Sequence, residues 1–254
     1  MIAAEWRADP SWRRIDLLSD VHLHATAPKT FEAWRSHMLD CPADAVLILG
    51  DLFEVWVGDD ARFGTFEQAC IQVLRQASTR KSVAFMHGNR DFLLGADMRR
   101  DAGMQGLSDP TVAVAWDRRV LLTHGDALCI SDAAYQGFRR TVRASKWQAT
   151  FLQQPLADRR AQALAMRQAS VQHHTEHPAE ASADADEALC LEWLSTARAD
   201  QLVHGHTHRP DHHVLPGGLT RYVLGDWDFE DQLPRARILI WTAAGLQATD
   251  LGAA

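Results

Sequence analysis

Residues 202–210, LVHGHTHRP, place His204, His206 and His208 at alternate positions directly after two apolar residues. In an extended chain, alternate residues share a face. Imidazoles crowded on one face repel one another when protonated, and burying them is unfavourable without hydrogen bonds or a metal. A solvated histidine cluster has the same spacing, so the decision rests on whether other segments bring compatible donors.

Four other segments do. Apolar runs ending in polar residues recur as RIDLLSDVH (14–22), AVLILGD (45–51), SVAFMHGNRD (82–91), RVLLTHGD (119–126) and QLVHGHTH (201–208). Short apolar runs stopped by Gly, Asp or Asn predict strands buried on both faces. In α/β sheets, ligands gather outside the carboxyl ends of the strands. The five runs deliver Asp20 and His22, Asp51, Asn89, His124, then His206 and His208 at those ends. Singly, each is also what a turn or a helix cap looks like. Together they offer only oxygen and nitrogen donors, the make-up of a metal centre. Seven donors exceed what one tetrahedral ion needs and suit two ions sharing a carboxylate, about 3.5–4 Å apart. No cysteine stands among them, which excludes a structural zinc cage. The mixed set suits Mn²⁺, Fe²⁺, Co²⁺ or Zn²⁺ better than Ca²⁺. Such a pair polarises a phosphoryl oxygen and holds a hydroxide in line, so the generic expectation is hydrolysis of a phosphoester or phosphoanhydride.

The elements that must position these residues follow from periodicity. Phe66, Ala69, Cys70, Val73, Leu74 and Ala77 recur at helical spacing between the second and third runs, and strands alternating with helices indicate an α/β fold. Near the C-terminus, TRYVLGDW, ARILIWTA and LQATDL predict closely spaced strands completing a second sheet, the last two joined at Ala243, Ala244 and Gly245. Residues 133–200 break the strand rhythm. A helix is predicted over 132–153, with Asp132 near its start and Tyr135, Phe138, Val142, Ala149 and Leu152 on one stripe; Pro155 ends it and a second helix covers 156–173. Residues 139–167 hold seven Lys or Arg against Asp158 alone, and 176–200 hold seven Asp or Glu against Arg198 alone. Either the two faces pair with each other, or the first is a basic amphipathic cap. A cap would offer Phe138, Trp147, Phe151 and Leu152 to lipid, and Arg139, Arg140, Arg143 and Lys146 to phosphates.

Composition bounds the rest. The 254 residues are 46% hydrophobic and 23% charged, an ordinary globular make-up, and a formal charge of −7 argues against a general nucleic-acid binder. Cys41, Cys70, Cys129 and Cys190 form no C-x-x-C pair and read as reduced, mostly buried thiols of a cytosolic protein. The first residues lack the apolar core of a signal peptide, and no apolar run approaches the ~18 residues that span a bilayer.

The order of motifs resembles the calcineurin-like metallophosphoesterases, with their D-x-H, G-D, G-N-H-[DE], H-G and G-H-x-H pattern. GDLFEVWVGDD (50–60), GNRDFLLG (88–95) and HGDALCISDAAYQGFR (124–139) sharpen the resemblance to the UDP-2,3-diacylglucosamine diphosphatases of lipid A biosynthesis, over about 15–229. The resemblance implies a single domain over 1–254, a four-layer α/β/β/α sandwich with a helical lid at about 132–200, and two Mn²⁺ ions. One ion would be held by Asp20, His22, Asp51 and His208, the other by Asp51, Asn89, His124 and His206. His204 is then a packed or supporting residue. The implied reaction is attack of metal-activated water on the α-phosphorus of UDP-2,3-diacylglucosamine, yielding UMP and 2,3-diacylglucosamine 1-phosphate. The implied setting is a monomer on the cytoplasmic face of the inner membrane. Soluble nucleotide phosphodiesterases of the same superfamily, and catalytically silent binding modules on the same fold, are the alternatives.

Arg90 stands where most of the superfamily has histidine. Arginine stays charged at any working pH and cannot protonate a leaving group, but it clamps phosphate oxygens. The exchange is tolerable when the leaving group is a phosphate monoester, whose second pKa is about 6. GNRD therefore favours a diphosphate substrate; the alternative is an arginine paired only with Asp91. By the same resemblance Asn89, Arg90 and His124 act at the reacting phosphate. Asp132, Tyr135, Ser170 and His206 meet the substrate, with His174 or His177 replacing the Asn and Lys contacts common in the family. Glu54, Asp59 and Asp126 are expected to orient the metal ligands.

Overall fold

The computed structural model describes residues 3–176 and 183–251. The five apolar runs form β2 (Ile15–Leu18), β3 (Ala45–Leu49), β4 (Ser82–Met86), β7 (Arg118–Leu122) and β8 (Gln201–His204). They divide between two sheets. The first has the order β12-β11-β2-β3-β4-β5, with β5 at Gln105–Leu107 and the hairpin of β11 (Arg237–Thr242) and β12 (Gly245–Asp250) on the far edge. The second has the order β1-β6-β7-β8-β10-β9, adding β1 (Ala4–Arg7), β6 (Thr111–Ala115), β9 (Asp211–Val214) and β10 (Thr220–Val223). The C-terminal strands thus do not complete one sheet. TRYV runs parallel to β8, whereas the hairpin pairs antiparallel with β2.

Alternation along the strands builds the layers. Ala45, Leu47 and Leu49 point between the sheets, where they meet Ala113, Val120, Leu122 and Val203. Val46 and Ile48 point the other way, onto α1 (Pro28–Asp40), α2 (Thr65–Ser78) and α3 (Ala96–Ala102) through Trp34, Met38, Leu74 and Met98. Beneath the second sheet, Val112, Leu121 and Leu202 pack on Cys190, Leu194 and Ala197. The order is helix, sheet, sheet, helix. Helix α1 opens on Pro28 at its first turn, where a missing N–H is harmless, and Glu230 Oε1 accepts the N–H groups of Lys29 at 2.7 Å and Thr30 at 3.1 Å. Pro42 follows the helix C-cap, Cys41. The cysteines are unbridged, and Cys70, Cys129 and Cys190 are buried.

The segment after β7 forms α4 (Ala133–Val142), α5 (Ser145–Leu152), α6 (Leu156–Glu176) and, past Asp186, α7 (Glu187–Ala197). The single helix expected over 132–153 is therefore broken at Arg143 and Ala144, with no glycine or proline there to announce it. Arg143 turns inward, its Nη2 donating to the Gly88 carbonyl at 2.9 Å and its guanidinium lying over the Phe92 ring. The break swings α5 onto the core. Phe151 is buried, and Trp147 stacks on it at 4.7 Å. These two aromatics pack inward and are not presented to lipid, in contrast to the amphipathic-cap expectation; Phe138, Leu152 and Leu164 are the exposed ones. Among the described residues, the two charged halves do not pair with each other either. Arg159 meets Asp60, Arg160 meets Glu67, Arg167 meets Glu54 and Arg139 meets Asp126, while Asp184 pairs with Arg221. Among the described residues, no helix is long and apolar enough to cross a membrane.

Candidate active site

Parallel strands bring their carboxyl ends to one edge. Asp20 and His22 follow β2, Asp51 follows β3 and Asn89 follows β4 from the first sheet; His124 follows β7, and His206 and His208 follow β8 from the second. The chain turns sharply to bring the donors inward. Asp20, His22, Asp51, His206 and His208 all have φ between 51° and 67°, the left-handed region that non-glycine residues seldom occupy. The glycines beside them are there for close approach. A Cβ on Gly88 would lie 2.0 Å from Asp51 Oδ1, and one on Gly205 would lie 2.2 Å from Asp20 Oδ2.

All seven donors converge. Asn89 Oδ1 lies 2.8 Å from both His124 Nε2 and His206 Nδ1. His22 Nε2 and His208 Nε2 face each other at 3.2 Å, with Asp20 Oδ1 3.4 Å from His208 Nε2. Asp51 reaches both groups, its Oδ2 4.0 Å from His22 Nε2 and its Oδ1 3.8 Å from His124 Nε2. Two overlapping sets, Asp20 with His22 and His208, and Asp20 with Asp51 and His124, keep their donor atoms within 4.8 Å of one another. Carboxylates and imidazoles this close can hold a cation between them, and the oxygen and nitrogen donor set fits a divalent ion of the Mn²⁺ to Zn²⁺ series.

Protons compete with a cation for some of these donors. Burial works against a charged His124, but Asp51, Asp126 and Asp20 push its pKa up to about 9. Burial, helped by His124, holds His206 down to about 3. At neutral pH a metal must therefore displace a proton from His124, and the Asp20 carboxylate raises the pKa of His208 against burial as well. Metal affinity is expected to rise with pH up to about 9, by up to about tenfold per unit. Mn²⁺ titrations in buffers of different ionisation heat check this; uptake without proton release would contradict it.

Around the donors, other expected residues fall into place unevenly. Arg90 does not pair with Asp91. Asp91 is fully buried and takes the N–H groups of Leu52 and Gly88, each at 2.8 Å, tying the loop after β3 to the loop after β4. Burial and the Asp51 charge raise the Asp91 pKa to about 7. Arg90 instead borders a cavity of about 410 Å³ shared with His22, His24, Glu54, Arg167, His208 and Asp226, and its buried Nε has no hydrogen-bond partner among the described residues. Tyr135 donates its hydroxyl to Asp126 Oδ2 at 2.6 Å, with its ring 5.7 Å from that of His206. Asp132 is buried and caps α4 by accepting the Tyr135 N–H at 2.8 Å. Ser170 is exposed on α6, one turn beyond Arg167. His174 belongs to the same helix, its side chain outside the described set, and His177 lies outside the described residues. His204 is fully buried, its Nδ1 meeting the Gly205 carbonyl at 2.8 Å.

Glu54 does bear on a ligand, its Oε2 standing 3.1 Å from His22 Nδ1. Asp126 gathers Tyr135, Arg139 and Arg143 beside His124. Asp59 does not orient a ligand: its carboxylate accepts Gly95 N–H at 2.7 Å and Met98 N–H at 2.9 Å, so it caps α3. Two residues, Asp226 and Arg167, escaped sequence reasoning, while Arg143, expected on the outer face of a basic cap, lies beside Asp126 instead. Asp226 comes within 3.9 Å of His208 Nδ1, and its VLGD repeats the ILGD that flagged Asp51. Arg143 and Arg167 reach the site only through helix placement, which no local pattern announces.

The calcineurin-like phosphoesterase profile matches residues 13–210, which carry all seven donors. The chain belongs to the calcineurin-like phosphoesterase family. Its relatives include the UDP-2,3-diacylglucosamine hydrolase of Chromobacterium violaceum, 40% identical over 220 residues, 84% of this chain and 90% of that one. The protein of the same name from Xanthomonas axonopodis is 41% identical over 221 residues, 83% and 90% of the two chains. A solved archaeal phosphodiesterase is similar at a TM-score of 0.46 and 12% identity, covering 93% of this chain and 99% of that one.

Proposed function

We propose that the chain hydrolyses UDP-2,3-diacylglucosamine to UMP and 2,3-diacylglucosamine 1-phosphate, a step of lipid A biosynthesis. The observation that carries this reading is the guanidinium of Arg90, unpaired at Nε, beside seven converging metal donors, in a chain 40% identical to hydrolases of that substrate. Asp20, His22, Asp51 and His208 would hold one Mn²⁺, and Asp51, Asn89, His124 and His206 the other. When bound, the ions supply charge to the phosphoryl oxygens and lower the pKa of water. Water adds across the bond between the α-phosphorus and the bridging oxygen. Arg90 clamps the departing phosphate, which leaves without needing a proton. Asn89, His124 and His206 hold the reacting phosphate between the ends of three strands, β4, β7 and β8.

The helices between β7 and β8 act as a lid over this site. Arg167 reaches Glu54, which contacts His22, so α6 leans on the metal ligands through one acid. Tyr135 and Ser170, with Asp132 and one of His174 or His177, would meet the glucosamine phosphate. Exposed Phe138, Leu152 and Leu164, together with exposed Arg140 and Lys146, suit peripheral contact with the anionic cytoplasmic face of the inner membrane. All seven donors come from one chain, so a monomer suffices.

Purified protein with Mn²⁺, assayed on UDP-2,3-diacylglucosamine and on UDP-glucosamine, tests the reading. Sheltering even about four methylenes, at about 0.8 kcal/mol each, is worth more than a hundredfold in kcat/KM for the acylated substrate. Equal turnover of both would instead mark a hydrolase of soluble nucleotides.

A further inference from the structure

Strand β2, which leads into Asp20 and His22 at one end, carries at the other a member of a second donor group. Asp16 lies on β2, four residues before Asp20, roughly 13 Å of extended chain away. His37 lies in the last turn of α1, and Cys41 caps that helix. One donor atom from each of the three lies within 4.8 Å of the others. Asp16 is fully buried and held by Arg14, through Nε at 2.6 Å and Nη2 at 2.9 Å. The His37 side chain is 7% exposed; its Nε2 stands 3.4 Å from Asp16 Oδ2 and makes no hydrogen bond among the described residues. Burial keeps that ring neutral, with its pKa lowered to about 4 against the pull of Asp16. Cys41 Sγ meets the Lys81 ammonium at 3.0 Å, and the same ammonium donates to the Cys41 carbonyl at 2.6 Å.

We propose that Asp16, His37 and Cys41 form a second metal site, separate from the catalytic one, for a thiophilic divalent cation of the Zn²⁺ kind. The separation of His37 Nε2 from Asp16 Oδ2 already matches the edge of a tetrahedron with bonds near 2.0 Å, about 3.3 Å. The carboxylate keeps lone pairs beyond those used by Arg14. A buried imidazole nitrogen without a partner is otherwise a loss to the fold, and a metal bond satisfies it. Sulfur also sets this site apart from the oxygen and nitrogen set at the catalytic end: thiolate selects zinc over manganese. Lys81 is the built-in competitor. Its ammonium rests against the sulfur where a cation would sit, so the ion enters by displacing it. Once bound, the metal ties the end of α1 to β2. The start of α1 borders the catalytic cavity through Ala27 and Thr30, so the tie acts on the cavity wall from the far side. The site does not depend on the reaction proposed above.

Cobalt reads this site selectively, because no cysteine stands among the catalytic donors. Adding Co²⁺ to the Mn²⁺-loaded protein should produce a saturable thiolate-to-cobalt band in the near ultraviolet. The band should vanish in Cys41→Ser and weaken in His37→Ala. In Lys81→Met, removing a like charge at contact distance should tighten binding by about tenfold or more. Zn²⁺, but not Mn²⁺, should slow alkylation of Cys41, the one partly exposed thiol. No band in the wild type, a band that survives Cys41→Ser or is unchanged in His37→Ala, or equal alkylation with and without Zn²⁺ would overturn the assignment.

Discussion

Asp51→Ala is expected to lower turnover on the order of a thousandfold or more while leaving the fold in place. Asp51 is the carboxylate whose two oxygens approach both donor groups, 4.0 Å from His22 and 3.8 Å from His124. On the two-ion reading proposed above, its removal would take a donor from each ion, and with them both nucleophile activation and charge stabilisation. The fold should tolerate the change, because the strand behind it, β3, is held by Ala45, Leu47 and Leu49 on one face and Val46 and Ile48 on the other. Activity on the diphosphate, metal content and circular dichroism measured together check the point. Wild-type turnover with metal still bound would remove the shared site.

Arg90→Ala should slow diphosphate hydrolysis by roughly a hundredfold or more, the usual effect of deleting a group that meets charge developing in the transition state. The guanidinium lines the cavity beside His22 and His208, and its Nε is not spent on Asp91. Arg90→His is expected not to restore the rate, although histidine is the common residue after G-N in the resembled superfamily, because what is lost is a permanent two-pronged charge. Steady-state kinetics of the two variants across pH decide the matter. A histidine variant as fast as the wild type would mean that the leaving group is protonated after all.

The catalytic edge was legible because buried strands write continuous apolar runs, and each run here stops on a donor. β3 and β4 could hardly be misread: Ile48 and Phe85 face helices while Leu47 and Ala84 face the other sheet. The division of those runs between two sheets was not legible. It depends on β1, β6 and β9, and β1 (AEWR) and β9 (DHHV) are edge strands with at most one buried residue each and no period to detect. The break between α4 and α5 is likewise tertiary. Arg143 reaches the Gly88 carbonyl, and that contact outweighs a helix the local pattern favours. Trp147 and Phe151 sit at a spacing that serves lipid contact or core packing equally well, and only the placement of Phe92 and the first sheet decides for the core. Asp59 misled for the opposite reason, since a carboxylate beside a metal motif and a carboxylate capping α3 look alike in one dimension.

Five of the donor residues sit in a backbone conformation that glycine would occupy more comfortably. Each such residue typically carries about 1–3 kcal/mol of conformational penalty. Replacing His208 or Asp20 with glycine would relax the chain and remove a donor in the same change. Thermal robustness and catalytic competence therefore pull in opposite directions at the same positions. A variant library screened for heat resistance alone would drift toward well-folded proteins with an eroded metal centre, and the erosion would begin at the turns after β2 and β8.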